Sequence, residues 1–189
     1  DKDPMYQCFD KLYDFYVEKM DPTDEQYTAL ARTNRLFVKG IMEMQPEKLF
    51  YPNANSMMRL TYGKVDGYEM KDAVTTRYYT TLDGKVAKNR PGSWEFNLPQ
   101  KMVDLYNAKD FGPYADKDGK MRTCFLTNND ITGGNSGSPV INGKGELIGC
   151  AFDGNWEAMS GDIFFETQIQ RTIAVDIRYV LFIIDKFGG

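Results

Sequence analysis

The sequence predicts a mainly β domain with helices at both ends, and three observations carry that prediction. Apolar residues at helical spacing fill residues 1–48. Short Thr-, Tyr- and Val-rich runs, broken by Asp-Gly and Asn-Gly turns, fill the middle. A last run of helical spacing closes the chain. The expected boundaries are 1–48 for a helical hairpin, 49–170 for a β domain and 171–189 for a C-terminal helix packed on it.

The first helix starts at Asp3-Pro4, a capping side chain followed by proline at the first helical position. Met5, Phe9, Leu12, Tyr13 and Tyr16 then recur on one face, and Asp21-Pro22 ends it. Thr23 with Gln26 fits a capping box, which predicts a second helix from about Asp24 to Met44, closed by Pro46. The aromatic and Met stripe of this pair reads as core or interface. "MMRLTYGKVDGYEM" and "TTRYYTTLDGKV" read as β, the latter with Asp83-Gly84 as its turn. "KMVDLYNAKD" reads as a short helix within a loop-rich region, 85–120. "MRTCFLTN" is a strand, and "SPVINGKGELIGCAFD" is two strands joined at Asn142-Gly143-Lys144-Gly145. Near the end, Ile173, Ile177, Val180, Leu181 and Ile184 fall on one helical face, with Gly188-Gly189 as the stop.

Of the 189 residues, 42% are apolar and 14% aromatic, enough for a substantial core. The net charge of -4 leaves no basic footprint for nucleic acid or an anionic membrane. No apolar run approaches the ~20 residues that cross a bilayer. The start, "DKDPMYQCFD", has neither an initiator Met nor the build of a signal peptide, so a mature product or an excised piece is expected. Cys8, Cys124 and Cys150 lack metal-type spacing and leave room for a single disulfide. No metal and no cofactor is expected.

The chemistry concentrates in "ITGGNSGSPV", residues 131–140. A nucleophilic serine needs a hydroxyl projecting from a tight turn, backbone amides aimed at the developing oxyanion, and a base. Gly133, Gly134 and Gly137 around Ser136 supply the first two, with the amides of Gly134 and Ser136 as the oxyanion donors. The base is missing, because the chain contains no histidine. Lys120 and Lys144 are the nearest lysines in sequence, and neither has the spacing of a Ser-Lys dyad.

"TGGNSGSPV" resembles the serine motif of bacterial proteases with the chymotrypsin fold. The longer "TNNDITGGNSGSPVINGKGELIGCAFDGNWEAMSGDI", with "YPNANSMMRLTYGKVDGY" and "RTIAVDIRYVLFIIDKFGG", resembles the bacterial dipeptidyl-peptidase 7 and 11 family of serine exopeptidases, from about residue 50 to the end. The resemblance implies a chymotrypsin-type double β-barrel interrupted by a helical domain, in a polypeptide several times longer. This chain would then be a C-terminal fragment: the tail of the helical domain, the second barrel and the last helix. The catalytic His and Asp would lie upstream, outside it, and the fragment alone is expected to be inactive.

The same resemblance implies oligopeptide substrates with a free N-terminus, a homodimeric parent, and the periplasm or surface of a Gram-negative bacterium. Asp153, in "FDGNW", would hold the substrate ammonium; from the residues alone it reads as a turn-capping aspartate. Gly154 stands where members cleaving after acidic residues have arginine, so cleavage after hydrophobic or aromatic residues is expected; it also reads as a turn glycine. Asp130, six residues before Ser136, has the spacing of trypsin's basic-substrate aspartate, but the resembling family carries it whatever the substrate, which favours a brace for the serine loop. Phe152 and Trp156 read as core or pocket wall, and Asn155 as a turn residue. Two alternatives stand: an endopeptidase of glutamyl or high-temperature-requirement type, and a non-catalytic protease-like scaffold.

Overall fold

The computed structural model describes residues 2–51, 57–161 and 164–189. The chain divides into two units, Asp1–Pro52 and Asn53–Gly189.

The first unit holds helices α1 (Pro4–Lys19) and α2 (Asp24–Met44). Their starts follow the expected physics. The Asp3 carboxylate accepts from the Met5 and Tyr6 amides at 2.8 and 3.4 Å, ahead of Pro4 at the first helical position. Thr23 and Gln26 form the reciprocal capping box, with the Gln26 amide on Thr23 Oγ1 at 3.3 Å and the Thr23 amide on Gln26 Oε1 at 2.9 Å. Neither helix contains a buried residue. The stripe expected as core or interface is not core within this chain: Met5, Phe9, Leu12, Tyr13 and Tyr16 are 50–78% accessible.

The second unit is built on a sheet of five antiparallel strands: β3 (Tyr79–Thr81), β4 (Arg122–Thr127), β5 (Pro139–Ile141), β6 (Leu147–Gly154) and β7 (Thr172–Asp176). Their spatial order is β3-β4-β7-β6-β5. A separate hairpin, β1 (Tyr68–Lys71) with β2 (Val74–Thr76), precedes it. Three helices complete the unit: α3 (Leu82–Ala87), α4 (Gln100–Ala108) and α5 (Ile177–Phe182), the last running on as a π-helical turn, Ile183–Gly188. With α1 and α2 counted, the described helices hold more residues than the strands, so the chain as a whole is mixed helix and sheet rather than mainly β. Among the described residues, edge strands β3 and β5 do not pair, so the sheet is open.

Residues 57–70, expected as β, enter a strand only at Tyr68, with Val65 as an isolated bridge to Thr127. Two further elements depart from expectation because tertiary burial overrides local signals. Asp83-Gly84 lies inside α3 rather than at a hairpin turn. The preceding Leu82 is fully buried and its amide donates to Met121 O at 2.9 Å, which turns the chain into the core. Ile173 belongs to β7, not to the last helix. Thr172–Asp176 alternates buried and half-buried positions, as a β-branched strand between two partners does. The helix begins only after Asp176, whose carboxylate caps the Arg178 amide at 2.9 Å.

The core sits where the helices meet: Leu82 (α3), Met102 (α4), Phe111, Met121 and Phe182 (α5) pack together, with Phe111 and Phe182 edge-to-face at 5.9 Å. Residues 85–120, where the short helix expected at "KMVDLYNAKD" is α4, supply Met102 and Phe111 to this cluster. The cysteines are free thiols. Cys124 on β4 and Cys150 on β6 both register with Val175 of β7, on opposite sides of it. Two strand spacings, about 10 Å, exceed the reach of a disulfide.

Candidate active site

Ser136 occupies the turn between β4 and β5, and that turn is pinned to β6. The Gly137 amide donates to Ala151 O at 2.8 Å, and the Ala151 amide donates to Ser138 O at 2.9 Å. Gly134 and Gly137 have φ of 100° and 83°, the left-handed region that glycine adopts without strain. The loop is braced from within. Asn135 Oδ1 accepts the Thr132 amide at 3.0 Å, and the Asn135 and Ser138 amides donate to Thr132 O and Asn135 O at 3.1 and 2.9 Å. Arg59 Nη1 donates to Thr132 Oγ1 at 2.7 Å, a brace that no sequence pattern marks.

The Ser136 side chain is exposed and donates only a long hydrogen bond, 3.4 Å, to Phe152 O. Among the described residues, the amides of Gly134 and Ser136 make no hydrogen bond, unlike those of Asn135, Gly137 and Ser138. An oxyanion site requires two donors that converge on one point, and these two amides are the candidates the turn offers.

Asp153 and Gly154 follow Phe152 at the end of β6. Asp153 is exposed, and its Oδ1 accepts the Gly154 amide at 2.8 Å. Asp130 is half-buried and lines a cavity of about 20 Å³, shared with Ile131, Ala158, Gly161, Phe165 and Thr172. Phe152 and Trp156 are not core: they are 42% and 83% exposed.

Asn155 does more than turn the chain. It is buried, its Oδ1 accepts the Arg171 amide at 2.7 Å, and its Nδ2 donates to Ile169 O and Glu157 Oε2 at 2.8 and 2.7 Å. Arg171, also buried, spans to Gly67 O with Nε and Nη2, at 3.2 and 2.7 Å. Fully buried Gln170 donates to Ser160 Oγ and Phe164 O and accepts from the Glu166 amide. These three residues hold the segment behind Gly154. Their sequence surroundings are polar loop without periodicity, which is why pattern reading passes over them.

Lys120 is unsuited to act as a base. Lys120 donates to Asp83 at 3.0 Å, and this contact raises its pKa, the opposite of what a general base needs. Lys144 lies in the β5–β6 turn, where its amide donates to Asn142 Oδ1 at 2.9 Å. Among the described residues no cluster of His, Cys, Asp or Glu has the grouping to hold a metal ion, and no helix is long and apolar enough to cross a membrane.

The peptidase S46 family model matches residues 1–189. The chain belongs to the peptidase S46 family. Among curated S46 relatives, it is 53% identical over 189 residues to the dipeptidyl-peptidase 7 of Phocaeicola vulgatus, covering all of this chain and 26% of that protein. It is 44% identical over 188 residues to the Asp/Glu-specific dipeptidyl-peptidase of Flavobacterium psychrophilum, covering 99% of this chain and 26% of that protein. The crystal structure of Porphyromonas endodontalis DPP11 in complex with the dipeptide Arg-Glu superposes with a TM-score of 0.79 at 46% identity, over 85% of this chain and 23% of that one. The chain thus spans about a quarter of the length of these relatives.

Proposed function

We propose that this chain is the serine-bearing, C-terminal part of a dipeptidyl peptidase that removes dipeptides from the free N-terminus of oligopeptides. One observation carries the reading: an exposed Ser136 hydroxyl on a glycine turn, beside two unengaged amides and against the strand that ends in Asp153-Gly154. The names of the S46 relatives support the same reading.

In the proposed reaction Ser136 Oγ attacks the carbonyl carbon of the second substrate residue, and a histidine on the polypeptide outside this chain takes its proton. The amides of Gly134 and Ser136 hold the tetrahedral oxyanion. Collapse breaks the C–N bond, the histidine returns the proton to the leaving amine, and water hydrolyses the acyl-enzyme. Asp153 binds the substrate ammonium and so sets the cut two residues from the end. Gly154 puts neither bulk nor charge at the pocket wall, which suits hydrophobic or aromatic residues before the scissile bond.

In this reading residues 49–170 are the second barrel of a chymotrypsin-type double barrel, and α1 and α2 end an inserted helical domain whose remainder covers their apolar face. The parent is a homodimer of the periplasm or cell surface. The test uses the full-length polypeptide and a dipeptide reporter with a free or an acylated amine. Cleavage of the free amine alone, abolished by Ser136→Ala, is expected. Equal cleavage of both would point to an endopeptidase, and no serine-dependent cleavage to a scaffold.

A further inference from the structure

We infer that Ala158 is a second specificity-determining residue, which sets the width of the substrate side-chain pocket jointly with Gly154; this rests on the reading of Ser136 and Gly154 given above. A Cβ placed on Gly154 would stand 3.0 Å from the Ala158 Cβ, while the next nearest atom, Arg171 O, is 3.7 Å away. Carbon atoms pack best at about 3.5–4.0 Å, so the two positions share one gap too narrow for two side chains. A methyl added at 154, or bulk added at 158, consumes the same space.

The Ala158 side of that gap is not free to retreat. Trp156–Ser160 is a 3₁₀ turn in which the Ala158 amide donates to Asn155 O at 2.9 Å and Ala158 O accepts the Gly161 amide at 2.9 Å. A Cβ on Gly161 would itself lie 3.0 Å from Ala158 O, so the backbone is close-packed there. The turn is anchored at its start by the three hydrogen bonds of buried Asn155 and at Ser160 by buried Gln170. Ala158 also lines the cavity shared with Asp130 and Ile131, the residues that lead into the serine turn. A wall fixed at both ends and touching the pocket residue transmits its own size to the substrate.

The experiment uses the full-length polypeptide and free-amine dipeptide reporters that share the first residue and carry Ala, Val, Leu, Met or Phe before the scissile bond. Ala158→Val is expected to lower the Phe-to-Ala ratio of kcat/KM by about 10-fold or more, the effect of roughly one methylene in an apolar pocket. Gly154→Ala is expected to do the same, and adding Ala158→Gly is expected to recover most of that loss. An unchanged ratio in Ala158→Val, or strictly additive effects of Gly154→Ala and Ala158→Gly, overturns the inference. If Ala158→Val does not fold, the Gly154→Ala and Ala158→Gly pair decides alone, since it changes the gap by single methyl groups. A wild-type protein that cleaves none of the series sinks the peptidase reading itself, before any variant is compared.

Discussion

Ser136 Oγ lies 3.4 Å from the main-chain oxygen of Phe152, a contact at the long limit of a hydrogen bond that leaves the hydroxyl lightly held and, among the described residues, without a hydrogen-bonded base. An unassisted serine is a weak nucleophile at neutral pH. An oxyanion site and binding alone retain about 10³–10⁴-fold over water in triad-deleted enzymes, far below a complete triad. The isolated chain is therefore expected to show negligible turnover of dipeptide reporters. Turnover matching the full-length polypeptide would mean that a base lies within these residues.

Asp153 projects from the end of β6 into solvent, with one oxygen on the Gly154 amide. Replacement by Asn keeps the shape and removes the charge that would meet an ammonium. In the full-length polypeptide, Asp153→Asn is expected to lower kcat/KM for free-amine reporters by about 10- to 100-fold, a charged hydrogen bond contributing about 1.5–3 kcal/mol. Steady-state kinetics at constant pH measures it, and an unchanged kcat/KM would assign Asp153 to turn capping alone.

Asn155 satisfies the Arg171 amide and the Ile169 carbonyl in a buried setting. Asn155→Ala leaves these groups without partners, at about 1–3 kcal/mol for each buried group orphaned. Urea unfolding of this chain is expected to register that loss as a lower midpoint, and Asn155→Asp is expected to be no milder, because it keeps the acceptor but sets a buried carboxylate against Glu157 Oε2 and Ile169 O. No shift in Asn155→Ala would show that water replaces both bonds.

The acid limit of stability has a named contributor. The Lys117 amide on Asp116, then the Arg122 guanidinium at 2.7 Å, hold the Asp116 carboxyl below its usual range against the opposing effect of burial. A carboxyl depressed in the folded state stabilises above its unfolded pKa and loses that contribution as pH falls through the folded pKa. The unfolding midpoint should thus drop as pH falls through and below the ordinary carboxylate range, and Asp116→Asn should flatten that drop while lowering stability near neutrality. An identical slope in the variant would remove Asp116 from the account.

Much of the local structure was legible because it rests on short-range chemistry. Asp3-Pro4 and the Thr23/Gln26 box start helices wherever they occur, and the Asn142–Gly145 turn joins its two strands as its residues demand. The failures came where distant residues decide. Thr172–Asp176 is apolar enough to continue a helical pattern, yet strands on both sides claim it for the sheet. Asp83-Gly84 yields to the burial of Leu82. Around the proposed site, the glycine-boxed serine is visible in the sequence as a motif, whereas Asn155, Gln170 and Arg171 hold the segment through partners distant in sequence, and the close approach of Ala158 to Gly154 is a matter of packing that composition cannot describe.

The central claim is that Ser136 is one member of a catalytic set whose proton acceptor lies outside this chain. The most direct measurement is labelling by a serine-directed fluorophosphonate, with the modified residue located by mass spectrometry, in the full-length polypeptide and in this chain alone. The account predicts rapid modification of Ser136 in the full-length polypeptide, in step with loss of dipeptide release, and almost none in the isolated chain. Modification at another residue with Ser136 untouched, or equal rates in both proteins, would contradict it.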